Sequence, residues 1–219
     1  MNDFATSLSI PKSMPQAAEK IVAGETAQVD IGSFNDEFFT YVAGFGAFTD
    51  VSYETPQPMK NVFGSLAYIF EVLNLKRLSS TKSYHVKITF DGYTIEDDFI
   101  YGMVCNSNSV GGIKGLTGKD VLLNDGVFEG LFIKMPKNLI ELQNTVNALY
   151  NRDMSSGYLY YFKSGDITFE SDEDIAWTLD GEFGGNLRNV SVKNNCRAVT
   201  IFSSPDNNIL ENENCDLTE

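Results

Sequence analysis

Apolar and polar residues alternate along much of the chain, with a period of two residues. This period is typical of β-strands that bury one face. It predicts strands at 28–32, 37–43, 83–90, 93–95, 99–106, 127–134, 158–162, 166–170, 175–179, 190–192 and 198–202. The acidic run at 172–174 is interpreted as a solvated turn between two of these strands.

Helical spacing of apolar residues interrupts this pattern at three places. Ser13 precedes the first helix and Gly24 ends it, since glycine is favoured directly after a helix. A second helix is predicted from 58 to about 75, either as core or as the lining of a groove for acyl chains. A third begins at Pro136 and runs to about 150. The pattern predicts an α+β fold, a β-rich and sandwich-like domain with inserted helices.

Two carboxylates flank a glycine directly after the predicted strand 175–179, in the order Asp180, Gly181, Glu182. A glycine lets the backbone turn sharply and leaves little bulk near a ligand, which suits a positioned proton acceptor. Asp-Gly is also typical of a tight β-hairpin. The spacing alone therefore fits either a reactive pair of acids or a turn without chemistry.

The net charge of the chain limits the kinds of molecule that it can bind. The 219 residues include 30 acidic and 16 basic ones, which gives a formal charge of −14. Phosphate backbones are bound by clustered Lys and Arg, so nucleic acid is excluded as a partner, and anionic membranes exert no general attraction. The remaining classes are enzymes and binding modules that act on other ligands.

The cysteines and the hydropathy indicate a compartment. Three cysteines without metal-ligand spacing and a single histidine, His85, predict reduced thiols and no zinc site. No secretory leader and no apolar run near the ~20 residues of a membrane span are visible. These features predict a cytoplasmic location.

Four motifs occur in order along the chain: Asn2-Asp3-Phe4-Ala5, the Phe39-x-x-x-Ala43-Gly44-x-Gly46 strand, the Asp125-Gly126 loop, and Asp180-Gly181-Glu182. In this order they resemble motifs of the diacylglycerol kinase and sphingosine kinase family of lipid kinases. The resemblance covers nearly the whole chain. It implies the C-terminal, lipid-side lobe of such a kinase, without the N-terminal nucleotide-binding lobe.

The resemblance also implies roles for individual residues. Glu182 matches the base that accepts the proton of the lipid hydroxyl, and Asp3 matches an acid that assists at the metal or in positioning. Asn2 and Asp180 are assigned to cofactor binding, with Asp180 orienting the turn.

A magnesium site is implied at the glycine-rich loop before β-strand 127–134. The acid matched to the family's metal ligand is Asp125, with backbone carbonyls expected from Leu122 and Val127. Magnesium prefers oxygen ligands and keeps several waters, so this set of donors suits it.

The resemblance divides the chain into three parts: residues 1–33 as the end of the nucleotide lobe and its linker, 34–203 as the lipid-side domain, and 204–219 as an acidic tail. It implies Mg²⁺ as cofactor, ATP as co-substrate bound through the missing lobe, and a lipid alcohol as substrate. Transient contact with a membrane surface is expected, which makes the protein peripheral to the membrane. A homodimer is compatible with the pattern, and little activity is expected without the missing lobe.

Two alternatives come from other classes. A non-catalytic, β-rich lipid-binding or regulatory module would explain a lobe that stands alone. A glycosidase would need two carboxylates about 5 to 10 Å apart across a sugar cleft. Asp180 and Glu182 could meet that separation, but the chain has one tryptophan and no cluster for stacking sugars, so this alternative ranks last.

Overall fold

The computed structural model describes residues 3–46, 82–110, 113–114, 121–203 and 210. Asn2, the helix predicted over 58–75 and nearly all of the predicted acidic tail lie outside these described residues. Within them strands far outnumber helices, which confirms the predicted β-rich α+β class.

The described elements are three helices and eleven strands. The helices are α1 (Asp3–Ser7), α2 (Met14–Ala23) and α3 (Leu139–Asn151). The strands are β1 (Thr26–Phe34), β2 (Glu37–Phe39), β3 (Val42–Gly46), β4 (Tyr84–Phe90), β5 (Tyr93–Cys105), β6 (Ser109–Val110), β7 (Ile113–Lys114), β8 (Phe128–Lys134), β9 (Leu159–Ser164), β10 (Asp166–Leu179) and β11 (Glu182–Phe202).

Nine of these strands form one antiparallel sheet in the order β2-β1-β11-β10-β3-β5-β8-β9, and β6 pairs only with β7. The ninth strand, β4, also pairs with β10 and β5. Residues 177–179 of β10 pair with β3, whereas 167–171 pair with β4. The strands β3 and β4 therefore follow one another in the same position of the sheet, and 47–81 is inserted between them.

Aromatic side chains fill one face of this sheet. Trp177 is buried, and its ring lies edge-on to Phe34, Phe45 and Phe169 at centroid distances of 5.1, 4.9 and 5.2 Å. Such edge contacts add to the large apolar area that the rings bury. Because Trp177 lies in β10, three residues before Asp180, this core fixes the base of the β10–β11 hairpin.

The sheet curves strongly. Phe39 of the edge strand β2 packs on Phe128 of β8, with 5.4 Å between ring centroids, although β2 and β8 are far apart in the strand order. This contact brings one edge of the sheet towards its opposite side and encloses the aromatic core.

Helix α3 covers the other face of β5, β8 and β9. Leu142 and Leu149 of the helix pack in a cluster with Leu131 and Ile133 of β8. The helix begins three residues after Pro136, because the Asn138 side chain accepts hydrogen bonds from the Ile140 and Glu141 amides and so caps it.

Helix α2 ends as predicted at Gly24, which adopts φ 77° and donates its amide to the Ile21 carbonyl. Its predicted apolar stripe is not buried. Ile21 is 55% exposed and Val22 is 88% exposed, and no residue of α2 is buried against another described part of the chain.

Several predictions about strand boundaries are wrong, and the strands predicted at 93–95 and 99–106, for instance, form the single strand β5. The run 172–174 lies inside β10, because a register shift between Glu170 and Ile175 takes up the extra residues as a bulge. Likewise, 190–192 and 198–202 belong to the single strand β11. The strand predicted over 37–43 is divided into β2 and β3, because the backbone amides of 40–42 donate hydrogen bonds to the Asp180 carboxylate.

Cys105 is a free and buried thiol, whereas Cys196 is disulfide-bonded, so the prediction of reduced thiols is wrong for Cys196. Across the described ranges, no helix combines the length and apolar character that crossing a membrane requires.

Candidate functional site

Asp180 and Gly181 form the two-residue loop between β10 and β11. Leu179 pairs with Glu182 across the loop, and the two loop residues have φ values of 52° and 95°. Successive positive φ values are typical of the type I′ turn, which favours Asp-Gly. The tight hairpin predicted from the sequence is therefore confirmed, and Glu182 is the first residue of β11.

The Asp180 carboxylate binds the segment between β2 and β3. Its Oδ1 accepts hydrogen bonds from the Tyr41 and Val42 amides, both at 2.9 Å. Its Oδ2 accepts from the amide and the hydroxyl of Thr40 at 2.8 and 2.9 Å. The Asp180 amide donates in turn to the Val42 carbonyl at 2.8 Å. Because the backbone amides of 40–42 bind Asp180, they do not pair with a neighbouring strand, and the predicted strand is divided there. The same bonds fix the position of the hairpin.

Tyr41 connects this turn to Asp3. The Tyr41 hydroxyl donates to Asp3 Oδ2 at 3.0 Å, while the Tyr41 amide donates to Asp180. Asp3 opens helix α1 and is only 7% exposed. Three residues that are far apart in sequence are thus joined in one hydrogen-bonded cluster.

Glu182 is exposed on the same hairpin. No hydrogen bond or ion pair engages its carboxylate from any residue that the structure describes, in contrast to Asp180. A carboxylate that is open to solvent and carried by a fixed turn is available to a reactant. Such a group can accept a proton from a bound hydroxyl.

A second group of acids surrounds the loop at 121–127. Asp30 of β1 is fully buried, and its carboxylate accepts from the Gly126 amide at 2.8 Å, the Asn194 side chain at 3.0 Å and the Arg197 amide at 2.7 Å. Burial raises the pKa of Asp30, while these hydrogen bonds oppose the rise. Asp30 therefore fastens the loop to β11.

The three residues of the predicted magnesium site lie in this loop. Asp125 is half-buried, burial raises its pKa, and its Oδ1 accepts from the Val127 amide at 3.2 Å. The neighbouring Leu123 carbonyl accepts from the Asp30 amide at 2.8 Å. By contrast, the carbonyls of Leu122 and Val127 accept no hydrogen bond from the described part of the chain.

The Asp125 carboxylate and the two carbonyl oxygens that accept no hydrogen bond suit a hard cation, because carboxylate and carbonyl oxygens are its preferred ligands. The described residues contain no group of three His, Cys, Asp or Glu side chains placed to hold a metal. A cation in the loop would therefore rely on one carboxylate, backbone carbonyls and water, and the site stays a prediction.

Glu129 of β8 is a buried acid that the sequence analysis did not single out. Its carboxylate is fully buried, and Lys163 Nζ of the neighbouring strand β9 lies 3.1 Å from Oε1. The pKa of Glu129 is raised to about 8, mainly by burial and in smaller part by the nearby Asp125, whereas Lys163 opposes the rise. The sequence feature that could have pointed to a buried acid here is a glutamate inside the otherwise apolar run 127–133.

The structure thus gathers Asp3, Asp180 and Glu182 around one turn. It places Asp125 with the Leu122 and Val127 carbonyls in a separate loop. The roles assigned to these residues stay predictions, and Asn2 lies outside the described residues. Thr40, Tyr41 and Asp30 were missed because their partners are more than 35 residues away in sequence or are backbone amides.

Comparison with known proteins adds to this geometry. No protein-family model matches the chain. A diacylglycerol kinase of Bacillus subtilis strain 168 is 32% identical over 188 residues, which are 85% of this chain and 61% of the relative. A diacylglycerol kinase of Staphylococcus aureus strain JH9 is 31% identical over 208 residues, or 94% of this chain and 64% of the relative.

Solved structures share the fold. A crystal structure of a proposed diacylglycerol kinase from Bacillus anthracis strain Sterne matches with a TM-score of 0.75 and 23% identity, over 93% of this chain and 67% of that one. A second diacylglycerol kinase structure from that strain matches with a TM-score of 0.66 and 21% identity, over 93% and 64% of the two chains.

The chain spans a little over six tenths of the length of these curated relatives. Identities above 30% extend over most of the chain, and the solved structures have the same β-rich fold. Over most of its length the chain is therefore similar to diacylglycerol kinases, in sequence to the curated relatives and in fold to the solved structures.

Proposed function

We propose that this chain is the lipid-side part of an ATP-dependent lipid kinase, which transfers a phosphoryl group to the hydroxyl of a diacylglycerol-like lipid alcohol. One observation carries the proposal. The hairpin of a diacylglycerol kinase relative is held by Asp180 through four accepted hydrogen bonds, and it leaves Glu182 exposed beside them.

Glu182 would accept the proton of the lipid hydroxyl. The hydroxyl oxygen then forms a bond to the γ-phosphorus of ATP, the bond between that phosphorus and the bridging oxygen breaks, and ADP leaves. Most of the catalytic effect in phosphoryl transfer comes from positioning and charge. A base on a fixed turn meets the first of these needs.

Asp3 would assist on the nucleotide side of the same cluster, together with Asn2. Asp180 would support cofactor binding indirectly, by holding the turn, because its two oxygens already accept from the backbone and side chain of 40–42. ATP itself would bind mainly through a nucleotide lobe that lies outside this chain. We therefore expect little activity from the chain alone.

Magnesium would be held at Asp125 with the carbonyls of Leu122 and Val127. When bound, it would supply positive charge to a loop that lies beside two buried acids, Asp30 of β1 and Glu129 of β8. The chain's own contribution is the fastening of that loop by Asp30. A transient contact with a membrane surface, and a homodimer, complete the proposed working form.

The function is tested with the chain preceded in one polypeptide by the nucleotide-binding lobe of a diacylglycerol kinase. Incorporation of the γ-phosphate of ATP is measured with vesicles that contain diacylglycerol, and with vesicles that lack it. The proposal predicts phosphatidic acid only when ATP, Mg²⁺ and diacylglycerol are all present. Lipid binding without any phosphorylated lipid would favour a non-catalytic module instead.

A further inference from the structure

Tyr41 occupies a position between two of the acids at the candidate site. Its backbone amide is bound by Asp180 Oδ1 at 2.9 Å, and its hydroxyl donates to Asp3 Oδ2 at 3.0 Å. Asp3 is nearly buried, whereas Asp180 is exposed on the hairpin that carries Glu182. One residue therefore spans from the interior end of the cluster to its exposed end.

The conformation of Tyr41 is held from several directions. Its two neighbours, Thr40 and Val42, are bound to the same carboxylate, and the Tyr41 carbonyl accepts from the Asn106 amide at 3.0 Å. A phenol on a backbone fixed in this way can orient a carboxylate, because a hydrogen bond to a charged acceptor is strong and directional. The bond orients Asp3 with respect to the hairpin.

We infer that Tyr41 is a positioning residue, which sets the Asp3 carboxylate relative to the hairpin that carries Glu182. This inference rests on the proposed lipid kinase function and deepens it. It assigns to Tyr41 no contact with the substrate. Tyr41 acts through Asp3, by its phenol, and through Asp180, by its amide.

The test uses Tyr41→Phe, which removes the phenol oxygen and leaves the ring and the backbone amide. Tyr158→Phe is the matched control, because its hydroxyl also takes part in one half-buried hydrogen bond, from Asn144 at 3.0 Å, but beside helix α3. Both variants are made in the polypeptide that includes the nucleotide lobe. The readouts are kcat, the KM for diacylglycerol and the thermal midpoint.

We expect Tyr41→Phe to lower kcat about tenfold or more, which is the size of effect that one charge-assisted hydrogen bond can have. The KM for the lipid should change less than about twofold, since the substrate is not contacted. Tyr158→Phe should leave kcat within about twofold of the parent. A merely structural role would lower the thermal midpoint without this selective loss of kcat.

A second variant protects the test against a folding defect. Asp180→Asn replaces one acceptor oxygen by a donor, so that one of the two pairs of accepted hydrogen bonds is lost, and it should also lower kcat more than it raises KM. The inference is overturned if Tyr41→Phe keeps kcat within about twofold of the parent, or if the loss appears in KM alone. If the parent itself makes no phosphatidic acid, the proposed function fails, and the inference fails with it.

Discussion

The carboxylate of Asp180 holds Thr40 by two hydrogen bonds, from its amide at 2.8 Å and from its hydroxyl at 2.9 Å. The first residue of the turn thus also binds a segment that is distant in sequence. The turn between β10 and β11 therefore helps to hold the segment that connects β2 to β3. Several consequences can be measured.

Removal of this carboxylate should destabilise the domain. Because the hydrogen bonds that Asp180 accepts are exposed, water replaces part of what is lost, and we expect Asp180→Ala to lower the free energy of unfolding by about 1 to 2 kcal/mol. Asp172→Ala is the control, since Asp172 is an exposed acid of the strand β10, which precedes the turn. Urea denaturation of both variants checks this, and equal stabilities would contradict it.

The free energy of unfolding should depend on pH because of the raised pKa of Glu129. Its pKa is raised from 4.5 to about 8, so above pH 4.5 the folded state keeps a proton that the unfolded state has lost. Stability contributed at low pH is therefore lost progressively as the pH rises from about 4.5 to about 8.

Glu129→Gln should flatten this slope, since glutamine does not titrate. The measurement is the free energy of unfolding at pH 5 and at pH 8, in the presence of a chelator so that no cation contributes. The parent should lose more stability between these two values than the variant. Parallel losses would show that Glu129 does not keep its proton in the folded state.

Magnesium should raise the thermal midpoint through Asp125. A ligand that binds only the folded state stabilises it in proportion to the logarithm of its concentration above the dissociation constant. We expect a rise in the midpoint with millimolar Mg²⁺ over chelator in the parent and in Asp36→Ala, and none in Asp125→Ala. A rise that persists in Asp125→Ala would place the cation elsewhere.

Two glycines with positive φ provide a matched pair for the backbone geometry of β3. A Cβ at Gly46, where φ is 94°, would clash with the Ile100 carbonyl oxygen, whereas nothing lies within 4 Å of one at Gly24, where φ is 77°. Gly24→Ala should cost about 1 kcal/mol from conformation alone. Gly46→Ala should cost about 2 kcal/mol more, because backbone must move. Equal costs in calorimetry would contradict the close approach.

Local patterns were sufficient to predict much of this fold. The Asp180-Gly181 hairpin, the end of α2 at Gly24 and most strands follow from periodicity and turn chemistry, which act between near neighbours in sequence. The bulge that keeps 172–174 within β10 could not be predicted in this way. Three consecutive acids look like a turn until the partner strand is known.

The arrangement of the site depended on contacts that a sequence does not display. Asp180 and Thr40 are 140 residues apart, and Tyr41 and Asp3 are 38 apart. No local period relates these positions, and three of the four donors to Asp180 are backbone amides, which every residue except proline has. The family motifs pointed to the acids, but not to the segment that holds them.

The most direct test of the central claim is the kcat of Glu182→Gln for diacylglycerol phosphorylation, in the polypeptide that includes the nucleotide lobe. Glu19→Gln, at an exposed position of α2, is the control. If Glu182 accepts the hydroxyl proton, Glu182→Gln should lower kcat about 100-fold or more with an unchanged thermal midpoint, since general bases contribute at least this much. A kcat within about threefold of the parent would contradict the assignment of Glu182 as the base.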